Sequence, residues 1–145
     1  MTDPFEIILI ENNPFEAELA IKALKKNNLA NKLMHIADGE EALEFILSKG
    51  KYEMRALLPK PKLILLDLKM PKVDGMQILK QIKSDETAKA IPVVILTSSH
   101  EERDIVASNH HGADGYLVKE VNFESFTKSI SDITLHWLYS DNNSV

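Results

Sequence analysis

Cysteine is absent from the 145-residue chain. Disulfides, thiolate zinc sites and a cysteine nucleophile are therefore excluded, and the composition fits a reducing compartment. Long apolar runs are missing as well, since none reaches the roughly 18 residues that a membrane-spanning helix needs. The opening MTDPFEIILIENN has no basic stretch and its apolar run is bounded by glutamates, so it does not read as a signal peptide. Positive charge is in short supply: 17 Lys and Arg against 22 Asp and Glu leave a net charge of -5. A broad nucleic-acid surface needs the opposite sign. Neither G-x-G-x-x-G nor G-x-x-x-x-G-K-[ST] occurs, which argues against dinucleotide and nucleoside-triphosphate enzymes. The expectation is a cytoplasmic protein with no nucleic-acid or membrane partner.

What is present suits a globular protein. Hydrophobic residues make up 44% and charged residues 27%, enough to bury a core without staples. A single domain over 1–145 is expected, with its core at about 5–139 and a loose tail at 140–145. Five short apolar runs stand out: EIILI (6–10), KLMHIA (32–37), LILL (63–66), VVILT (93–97) and GYLV (115–118). Most are continuously apolar rather than alternating, as in strands of a parallel sheet buried on both faces.

Helical signals fill the gaps. Asn13-Pro14-Phe15-Glu16 supplies an N-cap, a proline at the first helical position and a glutamate placed as in a capping box. The following helix, with Leu19, Ala20, Ala23 and Leu24 as its apolar residues, should end near Asn27. A second runs from about Glu40 to Lys49 and stops at Gly50. Gly75 precedes a third bearing Ile78, Leu79 and Ile82, and Glu101 to His110 reads as a fourth. The fifth, from Phe123 to about Tyr139, carries Phe126, Ile130, Ile133, Leu135 and Trp137. Trp137 and Tyr139 fit equally a contact between two copies and a cap on the core. The stretch GKYEMRALLPKPK (50–62) reads as an irregular basic loop. Strand and helix thus alternate five times, giving an α/β fold with helices on both faces of one parallel sheet.

In such a sheet, sites form beyond the carboxyl ends of the strands. The first strand ends in Glu11-Asn12, the third in Asp67, the fourth in Thr97 and the fifth in Lys119. Each residue alone has an ordinary structural reading as a turn acid, a cap or a surface charge. Acids, an amide, a hydroxyl and one lysine converging on one edge point further. Clustered acidic oxygens invite a hard divalent cation such as Mg2+, and a lysine with a hydroxyl opposite suits a phosphoryl group. Asp67 would then be the nucleophile that becomes an acyl phosphate.

The segments ILIENNP, LILLDLKMPKVDG, IPVVILTSS and GADGYLVK together resemble response-regulator receiver domains, the CheY-like family, over nearly the whole chain. The long loop before the third strand and the aromatic HWLY end are similar to single-domain receivers paired with phytochrome-type sensor histidine kinases. The resemblance implies a flavodoxin-like, doubly wound five-stranded parallel sheet of order 2-1-3-4-5 with five helices. It implies that Asp67 accepts phosphate from a kinase or phosphotransfer-protein phosphohistidine. Mg2+ would be bound by Glu11, Asn12, Asp67 and the backbone carbonyl of Lys69. Thr97 would hold the phosphoryl group and shift with it, Tyr116 would change rotamer, and Lys119 would pair with the phosphate. A face made of the fourth helix, fifth strand and fifth helix would signal to a downstream protein, so the molecule is a switch in two-component signalling rather than an enzyme.

Two residues depart from the family pattern. Asn12 stands where a second acid is usual, so weaker metal binding and slower phosphorylation are expected. Lys119-Glu120 replaces the usual Lys-Pro, often a cis peptide; without proline the cis form costs about 3 kcal/mol, and a trans bond is expected. These departures motivate a competing reading, a degenerate receiver that binds its partner regardless of phosphate. An aspartate-nucleophile phosphatase is a third class, but its general acid, two residues after the nucleophile, would fall on Lys69.

Overall fold

A computed structural model describes residues 5–70, 72–97, 107, 109–119 and 122–139. Five parallel strands, β1 (Ile7–Ile10), β2 (Leu33–Ile36), β3 (Leu63–Leu66), β4 (Val93–Thr97) and β5 (Gly115–Val118), form one sheet in the order β2-β1-β3-β4-β5. The inner strands β1, β3 and β4 are buried throughout, which is why their sequences are continuously apolar. Alternate residues feed two cores. Ile8, Ile10, Ile64, Leu66 and Ile95 face one side, and Ile7, Leu9, Leu63, Leu65, Val94 and Leu96 the other.

The first core is covered by α2 (Gly39–Leu47) and α3 (Gly75–Ser84), through Phe45, Ile46, Ile78, Leu79 and Ile82. The second is covered by α1 (Pro14–Lys25) and α4 (Phe123–Tyr139), through Ala20, Leu24, Phe126, Ile130 and Leu138. The sheet order and the two helical layers are those of a flavodoxin-like fold. Of the expected helix at Glu101–His110, residues 101–106 and 108 lie outside the described residues, while Ala107, Asn109 and His110 are helical. The expected tail at 140–145 and the Lys119–Glu120 peptide also involve residues outside the described set. No described helix is long and apolar enough to cross a membrane.

Several local expectations are corrected. Leu19 is 48% exposed, because Ala17, Ala20, Ala23 and Leu24 already fill the inward stripe of α1. On α4, Leu135 is exposed, whereas Thr134 and Leu138 are buried. Trp137 packs partly against the second core, while Tyr139 is exposed. Helix α2 ends at Leu47 and is capped by Ser48 in the left-handed conformation (φ 57°, ψ 52°), two residues before Gly50, whose φ is also positive at 55°. Gly50 instead opens a 3-10 helix over Gly50–Leu57 within the expected irregular loop. Its order comes from Phe45: the Tyr52 ring lies edge-on at 5.0 Å and the Arg55 guanidinium sits 3.7 Å above the ring centroid. Tyr52 Oη also donates to Glu41 Oε2 at 2.6 Å.

Candidate functional site

The sheet delivers its strand ends to one edge. Glu11 directly follows β1, Asp67 follows β3, Thr97 closes β4 and Lys119 follows β5. Glu11, Asp67 and Thr97 are almost wholly buried, at 1%, 5% and 0% exposure. Burying two acids in this way demands partners.

Glu11 is fixed at three points. The ring Nε2–H of His35 donates to its carbonyl at 2.8 Å, the Asn13 N–H donates to Oε2 at 3.1 Å, and Lys119 Nζ donates to Oε1 at 2.6 Å. Asp67 accepts from the Lys69 N–H on Oδ1 at 3.1 Å, with Lys119 Nζ 3.6 Å from Oδ2. The Lys119 N–H also donates to the Thr97 carbonyl at 2.7 Å, which ties the end of β5 to that of β4. Glycine 75 closes the arrangement from beneath: its N–H donates to Leu68 O at 3.0 Å, and a Cβ there would lie only 2.5 Å from Asp67 O and from Leu68 Cα. The start of α3 is thereby pressed against the exit of β3.

A fourth charged group joins them. Glu16, in the first turn of α1, accepts from Lys119 Nζ at 2.5 Å, and Glu11, Glu16 and Asp67 each place a carboxylate oxygen within 4.8 Å of the others. The capping-box expectation is corrected here. Asn13 does cap α1, its Oδ1 accepting from Phe15 N and Glu16 N, but the Asn13 N–H that the box assigns to Glu16 goes to Glu11 instead.

The electrostatics follow from burial. Desolvation, then a hydrogen bond with Asp67, pushes the Glu11 carboxyl from 4.5 up to about 7, with Lys119 opposing. Burial alone would lower the Lys119 ammonium, yet its bonds to Glu11 and Glu16 outweigh that and raise it. The lysine is therefore a firm cation among three carboxyl groups.

The other candidates lie around this centre. Asn12 is exposed and lines a cleft of about 160 Å³ with Ala37, Asp38, Gly39, Met70 and Lys72. Lys69 is exposed, and it is its N–H that touches Asp67. Tyr116 is half-buried on β5, where its Cα pairs with Ile95.

Comparison with known proteins places these features in context. The family model described as the response regulator receiver domain matches residues 7–131. The chain is 38% identical over 135 residues to the response regulator Rcp1 of Synechocystis sp., covering 93% of this chain and 90% of that protein. The structure is similar to the Mn2+-bound form of Rcp1, with a TM-score of 0.80 and 37% identity over 92% of this chain and 94% of that one. It is similar also to the phosphorylated cyanobacterial phytochrome response regulator RcpA, with a TM-score of 0.81 and 36% identity over 92% and 93% of the two chains.

Proposed function

The chain belongs to the response regulator receiver family, and from that membership we propose that it is a phosphoryl-accepting switch driven by a sensor histidine kinase or a phosphotransfer protein. The observation that carries the reading is Asp67: a buried carboxylate at a strand tip, beside a lysine held by two further acids. In the proposed step an Asp67 oxygen forms a bond to phosphorus as the P–N bond to the donor histidine breaks. The imidazole leaves with the electron pair and takes up a proton.

A hard divalent cation fits the donor set, because carboxylate oxygens of Glu11 and Asp67 converge and the Glu11 carboxyl is held up to about 7 by burial and its neighbour. Glu11, Asp67, the Lys69 carbonyl and the Asn12 amide oxygen are the residues we assign to Mg2+. When bound, the ion neutralises charge on the transferring phosphoryl oxygens. Thr97 supplies a hydroxyl to the phosphoryl group and Lys119 its charge. Tyr116 and the face that carries β5 and α4 then answer the altered charge and dock a downstream protein. On this reading the protein is a switch rather than an enzyme and acts in the cytoplasm.

Incubation with acetyl phosphate and Mg2+, followed by intact mass and peptide mapping, tests the proposal. One phosphoryl adduct on Asp67, absent from Asp67→Asn, is expected. A wild-type protein that acquires none would favour a phosphate-independent interaction module.

A further inference from the structure

We propose that Glu16 is a positioning residue that holds Lys119 in a resting station and surrenders it when Asp67 becomes phosphorylated; the inference rests on the phosphoryl-acceptor reading above. The Lys119 ammonium lies 2.6 Å from Glu11 and 2.5 Å from Glu16 but 3.6 Å from Asp67. Two of its three N–H donors are therefore engaged by the glutamates, and the distance to Asp67 exceeds that of a good hydrogen bond. Local chain geometry sets this up. Because Glu11 Oε2 takes the Asn13 N–H, the Glu16 side chain is released from the helix cap and reaches a lysine 103 positions away.

Burial decides which partner yields. A phosphoryl group on Asp67 presents new anionic oxygens, and the ammonium, drawn toward them from its position 3.6 Å off Asp67, lengthens its contact with one of the two glutamates. The side chain of Glu11 is 1% exposed and that of Glu16 37% exposed. Stranding Glu11 leaves a buried carboxyl without its cationic partner, whereas water takes over solvation of Glu16. Glu16 is the releasable arm of the clamp and Glu11 the fixed one.

Glu16→Gln weakens that arm by removing its charge. Amine-reactive labelling read by peptide mapping, without phosphate analogue, should then modify Lys119 several times faster than in the wild type. Beryllofluoride titrated calorimetrically at saturating Mg2+ should bind about fivefold tighter, the size expected for a half-exposed charged hydrogen bond. The gain should disappear in a Lys119→Met background, because simple repulsion between Glu16 and the ligand would persist there. Unchanged labelling overturns the clamp, and so does a gain that survives without Lys119. Wild-type protein that binds no beryllofluoride overturns the phosphoryl-acceptor reading and the exchange with it. Wild-type binding that Glu16→Gln leaves unaltered overturns the exchange alone.

Discussion

Replacing Gly75 by alanine tests how tightly the fold clamps the strand end that carries Asp67. Two effects compete. Alanine favours a helix over glycine by up to about 1 kcal/mol, and Gly75 is the first residue of α3. Against that, the new Cβ would meet Asp67 O and Leu68 Cα at 2.5 Å and Leu68 O at 2.8 Å. Ordinary contacts lie near 3.5 Å or beyond, so about 1 Å of movement is required. The obstructing atoms are backbone rather than the end of a flexible side chain, so neither neighbour yields by changing rotamer. Overpacking of this kind costs about 1–3 kcal/mol, and the rigid neighbours put it at the upper end. A net loss of about 2 kcal/mol, or roughly 6 °C in melting temperature for a domain of this size, should appear in urea and thermal unfolding of Gly75→Ala. Any displacement passes directly into the Asp67 peptide, so phosphorylation by acetyl phosphate should slow even in the folded fraction. A variant as stable as the wild type, with unaltered phosphorylation, would show that the approach of α3 to β3 does not constrain the site.

Three further outcomes follow from the same geometry. The folded state binds the Glu11 proton more tightly than the unfolded chain, with a pKa of about 7 against 4.5; the group's contribution therefore turns against folding as pH rises from about 4.5 to about 7, reaching about 3 kcal/mol. Wild-type protein without metal should lose roughly 1 kcal/mol relative to Glu11→Gln between pH 6 and pH 8, a difference that paired melts would show and saturating Mg2+ should shrink; a pH-independent difference refutes it. Asn12→Asp adds a charge that is worth around 4 kcal/mol at 4 Å and an effective dielectric of 20 before desolvation, but Asn12 is exposed and screening trims the gain to roughly tenfold in Mg2+ affinity; equal affinities in calorimetric titration would remove the charge argument. Leu66→Ala empties a fully buried position immediately before Asp67 and should cost about 2–5 kcal/mol in urea unfolding, with a smaller loss pointing to collapse of the neighbouring side chains into the space.

The strands were legible because burial on both faces writes itself as an uninterrupted apolar run, and the convergence of Glu11, Asp67, Thr97 and Lys119 was legible because parallel sheets put their carboxyl ends on one edge. What escaped reading depends on contacts between distant residues. Helical periodicity marks Leu19 and Leu135 as apolar without saying that alanines or Leu138 already occupy the inward face. The 3-10 helix at Gly50–Leu57 has no local pattern, since Phe45 organises it by stacking with Tyr52 and Arg55. Glu16 is the instructive case: its spacing from Asn13 matches a common local motif, and only the arrival of Lys119 across the fold gives it another partner. That partner changes the charge balance of the site. Three carboxyl groups face one ammonium, and one of them, Glu11, is already driven toward its neutral form near pH 7. A doubly charged phosphoryl group approaching this edge meets net repulsion unless positive charge accompanies it or is released to it. On the proposed function a divalent cation would supply the first remedy and Lys119, freed from Glu16, the second, so that metal binding and the lysine exchange would act on the same excess of negative charge.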